Sequence, residues 1–140
     1  MQEIPFIKMH GLGNDFVIID QRKQDINLNK NLIQRIADRN KGVGFDQLAL
    51  ILSSDQADAE LVFFNSDGSE SRTCGNATRC IAKHLMQEQK TNDLKLSTDG
   101  IILIAKNVGV NLTSVNMGVP KFEWHDIPIS KKINTLKLPI

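Results

Sequence analysis

Short apolar segments of strand length, bounded by turn-forming residues, dominate this sequence and restrict it to a fold built largely from β-strands. Only two stretches repeat their apolar residues with the period of an α-helix. Asp99 and Gly100 separate two of the apolar segments and predict a tight hairpin turn. A further turn is predicted around residues 107–109. The predicted strands are residues 4–9, 16–20, 47–52, 60–64, 94–98, 101–106 and 108–117.

The two helical stretches are amphipathic. In the first, four apolar residues between positions 32 and 37 share a face, either Asn29 or Asn31 is the predicted N-cap, and Gly42 lies just beyond the end. The second follows a loop-like stretch over residues 65–76 and is predicted over about residues 76–89. Its expected buried stripe contains Ala77, Cys80, Ile81, His84 and Leu85.

Charge and cysteine content exclude several classes of function. Seventeen basic and sixteen acidic residues leave a net charge of +1, so no nucleic-acid or membrane partner is indicated. The longest apolar runs, such as residues 101–105, are far shorter than the roughly 20 residues that span a bilayer. The N-terminus lacks a signal-peptide pattern. Two cysteines without an export signal predict free thiols in a reducing compartment, and therefore a cytoplasmic protein.

Residues 119–140 differ from the rest of the chain. They hold three of the four prolines and four lysines against two acidic residues, with no amphipathic period. We expect this segment to connect to a part that is absent, and the chain to be a truncated or proteolysed piece. A face built to pack against that part is expected to expose apolar surface and to favour self-association.

Cys74 lies in the stretch that is most informative about chemistry, residues 65–80. A cysteine directly before a helix faces the positive end of the helix dipole and its unpaired amides, which favours the thiolate. The amides of Gly75, Asn76 and Ala77 can also bind a carboxylate, and a glycine beside the thiol lets a ligand approach the backbone. The alternative, a buried cysteine in a turn, is less consistent with these polar surroundings.

Other candidate sites are weaker. Cys80 and His84 are one helical turn apart, which suits a metal, but no second ligand pair lies nearby and both fit the apolar stripe. We therefore expect core packing and no metal. Asn14, Gln47 and Asn65 lie at strand edges beside turns. Their amides can cap turns or line a pocket, and the sequence pattern does not choose between these roles.

Five ordered motifs resemble the N-terminal half of the diaminopimelate epimerase family, over about residues 5–122. They are KMHGLGNDF (8–16), GVGFDQL (42–48), FNSDGSE (64–70), CGNATRC (74–80) and VNMGVP (115–120). Ala77 and Thr78 replace the usual glycine and alanine, and Ser66 replaces the usual alanine. All three are small and leave the Cys74 thiol and its flanking amides in place.

The resemblance implies an α+β fold, in which a curved, mostly antiparallel sheet wraps around a central helix. This would be one of two pseudo-symmetric halves with the active site between them. It also implies an isomerase of lysine and peptidoglycan precursor synthesis that interconverts LL- and meso-diaminopimelate with two cysteines. No cofactor or metal would take part. Two alternatives stay open: a racemase of another amino acid, such as histidine or proline, and a binding module without catalysis.

Residue roles follow from the same resemblance. Cys74 would be the acid/base of the first half, and Gly75 and Asn76 would hold the substrate, with further contacts from Asn14, Gln47 and Asn65. Family members are about twice as long, and their second cysteine lies in the second half. The expected organisation is an N-terminal half-domain over residues 1–118 and a connection over residues 119–140. The oligomeric state stays open, although the family tends to dimerise.

Overall fold

An eight-stranded sheet and two helices make up the architecture of the computed structural model, which describes residues 3–139. Residues 1, 2 and 140, at the outer ends of the two expected segments, lie outside the described residues. The elements in chain order are β1 (Ile7–Gly11), β2 (Asn14–Asp20), α1 (Lys30–Ala37), β3 (Gln47–Leu52), β4 (Ala59–Asn65), β5 (Glu70–Ser71), α2 (Gly75–Gln89), β6 (Asp93–Thr98), β7 (Ile101–Gly109) and β8 (Leu112–Asn116).

The sheet is mixed but mostly antiparallel, which confirms the expected fold class. Its strand order is β1-β2-β3-β4-β6-β7-β8, with β5 paired to β4. Five of the seven pairings are antiparallel, and β2–β3 and β4–β6 are parallel. A parallel pair needs a crossover connection. Helix α1 supplies it between β2 and β3, and α2 supplies it between β4 and β6.

Helix α2 lies at the centre of the curled sheet. It contacts β1 and β8, the two ends of the strand order, as well as β2, β6 and β7. A sheet can touch one helix with both edges only if it wraps around that helix, as the resemblance implied. The core between them includes Phe16, Phe63, Ile81, Leu85 and Leu96, all fully buried.

Helix α1 covers the opposite face of the sheet. Residues alternate along β2, so Phe16 and Ile18 face α2 while Val17 and Ile19 pack in a second cluster with Ile33 of α1. The N-cap of α1 is Asn29, whose side chain accepts a hydrogen bond from the Leu32 N–H at 2.9 Å. Of the two predicted caps, Asn29 is thus the one observed.

Helix α2 starts one residue earlier than predicted and is buried on a wider face. Its N-cap is Cys74 itself. Cys80 is buried as expected, but His84 is only partly buried and lines a surface groove with Phe6 and Lys23. The prediction that His84 is a core residue is therefore wrong. Thr78 is fully buried instead, because the wrapped sheet encloses more of the helix than one apolar stripe.

Several strand boundaries also differ from the predictions. Strand β1 begins at Ile7 and joins β2 through a two-residue turn, Leu12–Gly13, with both residues at positive φ. The turn at Asp99–Gly100 has the same geometry and is confirmed. The turn predicted near residues 107–109 lies instead after Gly109, because a bulge between Asn107 and Gly109 lengthens β7. The short strand β5 lies within the stretch predicted as loop.

Beyond β8, residues 117–139 contain no strand, and a single 3₁₀ turn spans Trp124–Asp126. None of the described helices is long and apolar enough to cross a membrane. Within residues 3–139, no group of three or more His, Cys, Asp or Glu side chains is arranged to hold a metal ion.

Candidate functional site

Cys74 is held at the start of α2 by three hydrogen bonds. Its Sγ accepts from the Ala77 N–H at 3.4 Å. Its carbonyl oxygen accepts from the Thr78 N–H at 2.9 Å and from the Thr78 hydroxyl at 2.8 Å. Because Thr78 is fully buried, this anchor is fixed by the core. Cys74 is partly exposed, and as the N-cap residue it lies at the positive pole of the helix dipole.

The first amides of α2 are available to a ligand. The Gly75 and Asn76 N–H groups make no hydrogen bond to any described residue, as expected for the first turn of a helix. A side chain placed on Gly75 would meet only the Met117 Sδ, at 3.9 Å, so the backbone there is approachable. Two unpaired amides beside a thiol form a potential anion-binding surface.

Asn14 reaches this helix end from the β1–β2 hairpin. The Asn76 Nδ2 donates to the Asn14 Oδ1 at 3.2 Å. The hairpin comes so close that a Cβ on Gly11 would lie 3.4 Å from the Asn76 Cβ. The fold thus brings four of the six candidate residues, Cys74, Gly75, Asn76 and Asn14, to one place.

Gln47 and Asn65 form a second polar group on neighbouring strands. They are direct partners in the β3–β4 register, and the Gln47 Nε2 donates to the Asn65 Oδ1 at 3.2 Å. The same Nε2 lies 3.3 Å from the Ser71 Oγ on β5. The Asn65 Nδ2 in turn donates to the Ser69 Oγ at 3.0 Å. Among residues 3–139, no direct hydrogen bond joins this pair to Cys74 or Asn76.

Asp46 connects the two groups and was not identified from the sequence. It directly precedes Gln47, and its Oδ2 accepts from the Asn14 Nδ2 at 3.0 Å. Arg79 is a second omission: its guanidinium donates to the Asn76 Oδ1 from one turn further along α2. The spacing of Asn76 and Arg79 on one helix face was the only sequence signal for this pair.

Four charged side chains form a cluster next to Asn14: Lys8, Asp15, Arg39 and Asp46. Asp15 accepts from Arg39 at 2.7 and 3.0 Å and from Lys8 at 2.6 Å. Asp15 and Asp46 each accept from the other's backbone N–H, at 3.1 and 3.0 Å. The Arg39 guanidinium, with help from Lys8, holds the pKa of Asp15 far below its usual range. The Asp15 carboxylate therefore stays ionised. Its hydrogen bond from the Asp46 N–H holds β2 against the loop before β3.

Cys80 has a different environment from Cys74. Its side chain is buried on the inner face of α2, and burial raises the pKa of its thiol. The two cysteines occur in the chain as free thiols. A buried thiol with a raised pKa stays protonated at neutral pH and is out of reach of a ligand, which leaves Cys74 as the candidate for acid/base chemistry.

Sequence comparison identifies the family to which this architecture belongs. The sequence model of diaminopimelate epimerase matches residues 6–123, which include all six candidate site residues. The chain belongs to the diaminopimelate epimerase family. It is 49% identical to the diaminopimelate epimerase of Pelagibacter ubique over 138 residues, which cover 99% of this chain and 50% of that protein. With the Acidiphilium cryptum diaminopimelate epimerase it shares 47% identity over 134 residues, or 96% and 48% of the two chains.

The chain thus spans about half the length of the curated diaminopimelate epimerases it matches. Solved structures share its fold. A PhzF-family phenazine biosynthesis protein of Bacillus anthracis superposes with a TM-score of 0.57 and 26% identity, covering 82% of this chain and 40% of that one. A hydroxyproline epimerase of Agrobacterium vitis gives a TM-score of 0.55 at 14% identity, over 71% and 36% of the chains.

Proposed function

We propose that these 140 residues form one wall of an active site that interconverts LL- and meso-diaminopimelate, with Cys74 as one of two acid/base groups. The observation that carries this proposal is the position of Cys74 as N-cap of α2, beside the unpaired amides of Gly75 and Asn76, in a segment matched by the family. The names of the curated relatives supply the substrate.

The reaction would begin with removal of the α-proton by the Cys74 thiolate. The new S–H bond forms as the C–H bond breaks, and the electron pair stays on the α-carbon, delocalised into the carboxylate. The substrate carboxylate would accept from the Gly75 and Asn76 amides, where the helix dipole stabilises the added negative charge. A proton delivered to the opposite face completes the inversion, and neither step needs a cofactor.

The side-chain amides would bind the rest of the amino acid. Asn14 is hydrogen-bonded to Asn76, and we propose that it contacts the reacting end of the substrate. Gln47 and Asn65 form a separate pair on β3 and β4, which suits the distal amino and carboxylate groups of a long substrate. Uncharged amides can bind both groups without adding net charge to the site.

The second acid/base group would come from outside these residues. The chain has two cysteines, and Cys80 is buried within α2. We therefore propose that residues 1–118 are a half-domain, that residues 119–140 lead into the second half, and that the 140 residues alone do not epimerise the substrate.

Deuterium exchange tests this proposal. The chain is incubated with LL-diaminopimelate in D₂O, and deuterium content and isomer ratio are followed by mass spectrometry and chiral chromatography. We expect slow α-deuteration with the configuration retained, and conversion to the meso isomer lower than in a complete two-base enzyme by a factor on the order of 10³ or more. Cys74→Ala should abolish the exchange, because it removes the base.

Cys80→Ala is the matched control and should leave the exchange unchanged. Enzyme-like conversion to the meso isomer that depends on Cys74 would show that the two-base inference is wrong. Deuteration that persists in Cys74→Ala would exclude Cys74 as the base. Proline and histidine, run in parallel, test the substrate: faster exchange with either would favour a racemase of another amino acid.

A further inference from the structure

A continuous row of hydrogen bonds crosses the site from one charged group to another. Asp46 accepts from the Asn14 Nδ2 at 3.0 Å. The Asn14 Oδ1 accepts from the Asn76 Nδ2 at 3.2 Å, and the Asn76 Oδ1 accepts from Arg79. We call these four residues, Asp46, Asn14, Asn76 and Arg79, the amide relay.

The chemistry at its two ends gives the relay a direction. An ionised carboxylate can only accept hydrogen bonds, and a guanidinium can only donate them. The Asn14 group facing Asp46 must therefore be NH₂, and the Asn76 group facing Arg79 must be oxygen. The middle contact then pairs the remaining NH₂ of Asn76 with the remaining oxygen of Asn14. If either amide were rotated by 180°, two like groups would face each other at both of its contacts.

We propose that Asp46 and Arg79 are positioning residues, which set the orientation of the two substrate-binding amides, Asn14 and Asn76. Neither charged group needs to touch the substrate. An amide held in one orientation presents its N–H donor and its oxygen acceptor in fixed positions. Binding then carries no additional free-energy cost for ordering that side chain. This inference rests on the proposed function only for the statement that the two amides bind substrate.

Asp46 is itself held in place, which makes it a suitable anchor. Its Oδ1 accepts from Arg39 at 2.9 Å, and its Oδ2 also accepts from the Asp15 N–H at 3.0 Å. With the Asn14 contact, its two oxygens accept three hydrogen bonds. The relay therefore begins at a carboxylate that is held from strand β2, through Asn14 and Asp15, and from the loop after α1, through Arg39.

Each amide keeps capacity for a ligand. In the relay, Asn14 and Asn76 each use one of two N–H donors and one of two oxygen lone pairs. One donor and one acceptor site per residue remain for substrate. The relay therefore orients the two amides without exhausting them.

Nuclear magnetic resonance of the side-chain amides tests the proposal without requiring any activity. Hydrogen exchange and chemical shifts of the Asn14 and Asn76 Nδ2 protons are measured in the ¹⁵N-labelled chain. Asp46→Leu should speed exchange of the Asn14 Nδ2 protons by about tenfold or more, since a hydrogen bond to a charged acceptor is lost. Asp46→Asn retains an acceptor oxygen and should restore most of the protection.

At the other end of the relay, Arg79→Met should change the chemical shifts of both side-chain amides. Arg79→Lys keeps a donor and should change these chemical shifts less. Arg22→Met is the matched control: Arg22 is likewise an ion-paired arginine, bonded to Asp20 and Glu88 rather than to the relay, so its loss should change neither side-chain amide. If Asp46→Leu fails to fold, Arg79→Met and Asp46→Asn decide the question. Unchanged Asn14 and Asn76 signals in Arg79→Met, or in a folded Asp46→Leu, would overturn the proposal.

Titration with LL-diaminopimelate separates this inference from the proposed function. Weaker binding in Asp46→Leu and recovery in Asp46→Asn would support positioning for substrate. Amides that respond as expected in the free chain, together with Asn14 and Asn76 signals that do not move on titration of the wild type, would support the relay and count against the proposed function.

Discussion

At the scale of single residues, the two cysteines differ because one caps a helix and the other lies inside it. The Cys74 sulfur accepts from the Ala77 amide and is partly exposed. Cys80, six residues further on, is 6% exposed, and burial raises the pKa of its thiol. Reactivity of a thiol follows its access and its thiolate fraction. Cys74 has the greater access, and the raised pKa of Cys80 lowers the thiolate fraction of that buried thiol.

Alkylation kinetics check this difference. With iodoacetamide at neutral pH, we expect Cys74 to be labelled roughly tenfold faster than Cys80 or more, because only Cys74 combines access with a helix N-terminus. Mass spectrometry of timed samples gives both rates in one experiment. Cys74→Ser is the control, and should leave only the slow reaction. Equal labelling rates in the folded chain would mean that α2 opens locally and that the predicted difference between Cys74 and Cys80 is wrong.

At the scale of elements, the connection from α1 to β3 is tightly packed against the helix end. The Gly42 N–H donates to the Asp38 oxygen at 2.8 Å. A Cβ on Gly42 would lie 2.2 Å from the Arg35 carbonyl oxygen, which is an impossible separation. Glycine is thus required here for close approach, and it sets where the chain enters β3.

Gly42→Ala is expected to lower the free energy of unfolding by about 1–3 kcal/mol, since the backbone of the helix end must move. Urea unfolding followed by circular dichroism measures this loss. Gly100→Asn is the matched control. No atom lies within 4 Å of its added Cβ, and asparagine tolerates its left-handed backbone, so stability should change by well under 1 kcal/mol. A Gly42→Ala chain of wild-type stability would contradict the packing described.

The Asp15 cluster predicts a pH dependence of the same region. The pKa of Asp15 is lowered in the folded chain from an ordinary value of 3.8, mainly by Arg39. The stability it contributes is therefore fully present well above pH 4 and is lost as pH falls towards the folded-state pKa. Asp15→Asn should be less stable than wild type by about 1–2 kcal/mol at pH 7, with a smaller difference at pH 3.

Urea midpoints of both proteins at the two pH values provide the measurement. Asp67→Asn is a useful control, because Asp67 is an exposed carboxylate bonded to Ser69 rather than to this cluster. Its effect should be smaller at pH 7. A difference between wild type and Asp15→Asn that grows on acidification would reverse the sign and refute the role assigned to Asp15.

At the scale of the whole molecule, α1 packs on only part of the outer face of the sheet, over β2 and β3. The part of that face formed by β7 and β8 is left exposed. Ile102 and Ile104 on β7 are each 42% exposed, and Leu112 on β8 is 61% exposed. The cross-strand partners of the two isoleucines on β6 are Ser97 and Lys95. Exposed apolar residues concentrated on one hairpin favour association through that hairpin.

We expect the chain to self-associate at high concentration through β7 and β8. Sedimentation velocity over a range of concentrations should show a rising mean mass for wild type, and Ile104→Lys should reduce it by placing a charge in the contact. Leu136→Lys, a change of the same kind at an exposed residue of the C-terminal segment, should have little effect. A strict monomer at all concentrations would contradict this expectation.

Much of the fold could be predicted because it follows from short-range patterns. Strand and helix types come from the local period of apolar residues, and the Asp99–Gly100 turn comes from two backbone preferences. Cys74 could be predicted as a candidate functional residue from local sequence as well. It follows a polar stretch, precedes a glycine and lies at the start of an amphipathic helix, and all three features can be recognised in the sequence. The family motifs then implied which amides accompany it.

The tertiary structure alone decided how distant residues meet. Asp46 and Asn14 are 32 positions apart, and Asn14 and Asn76 are 62 apart, so no local pattern could reveal the amide relay. His84 fits the apolar stripe of α2 by its spacing, but it is only partly buried. Its burial depends on how far the sheet extends around the helix, which the local sequence does not show. Local periodicity sets the type of each element, whereas the curl of the sheet around α2 sets which side chains share a hydrogen bond. The sequence by itself thus predicted the type and order of most elements and pointed to Cys74 as the candidate thiol, and the packing determined the arrangement of the residues around it.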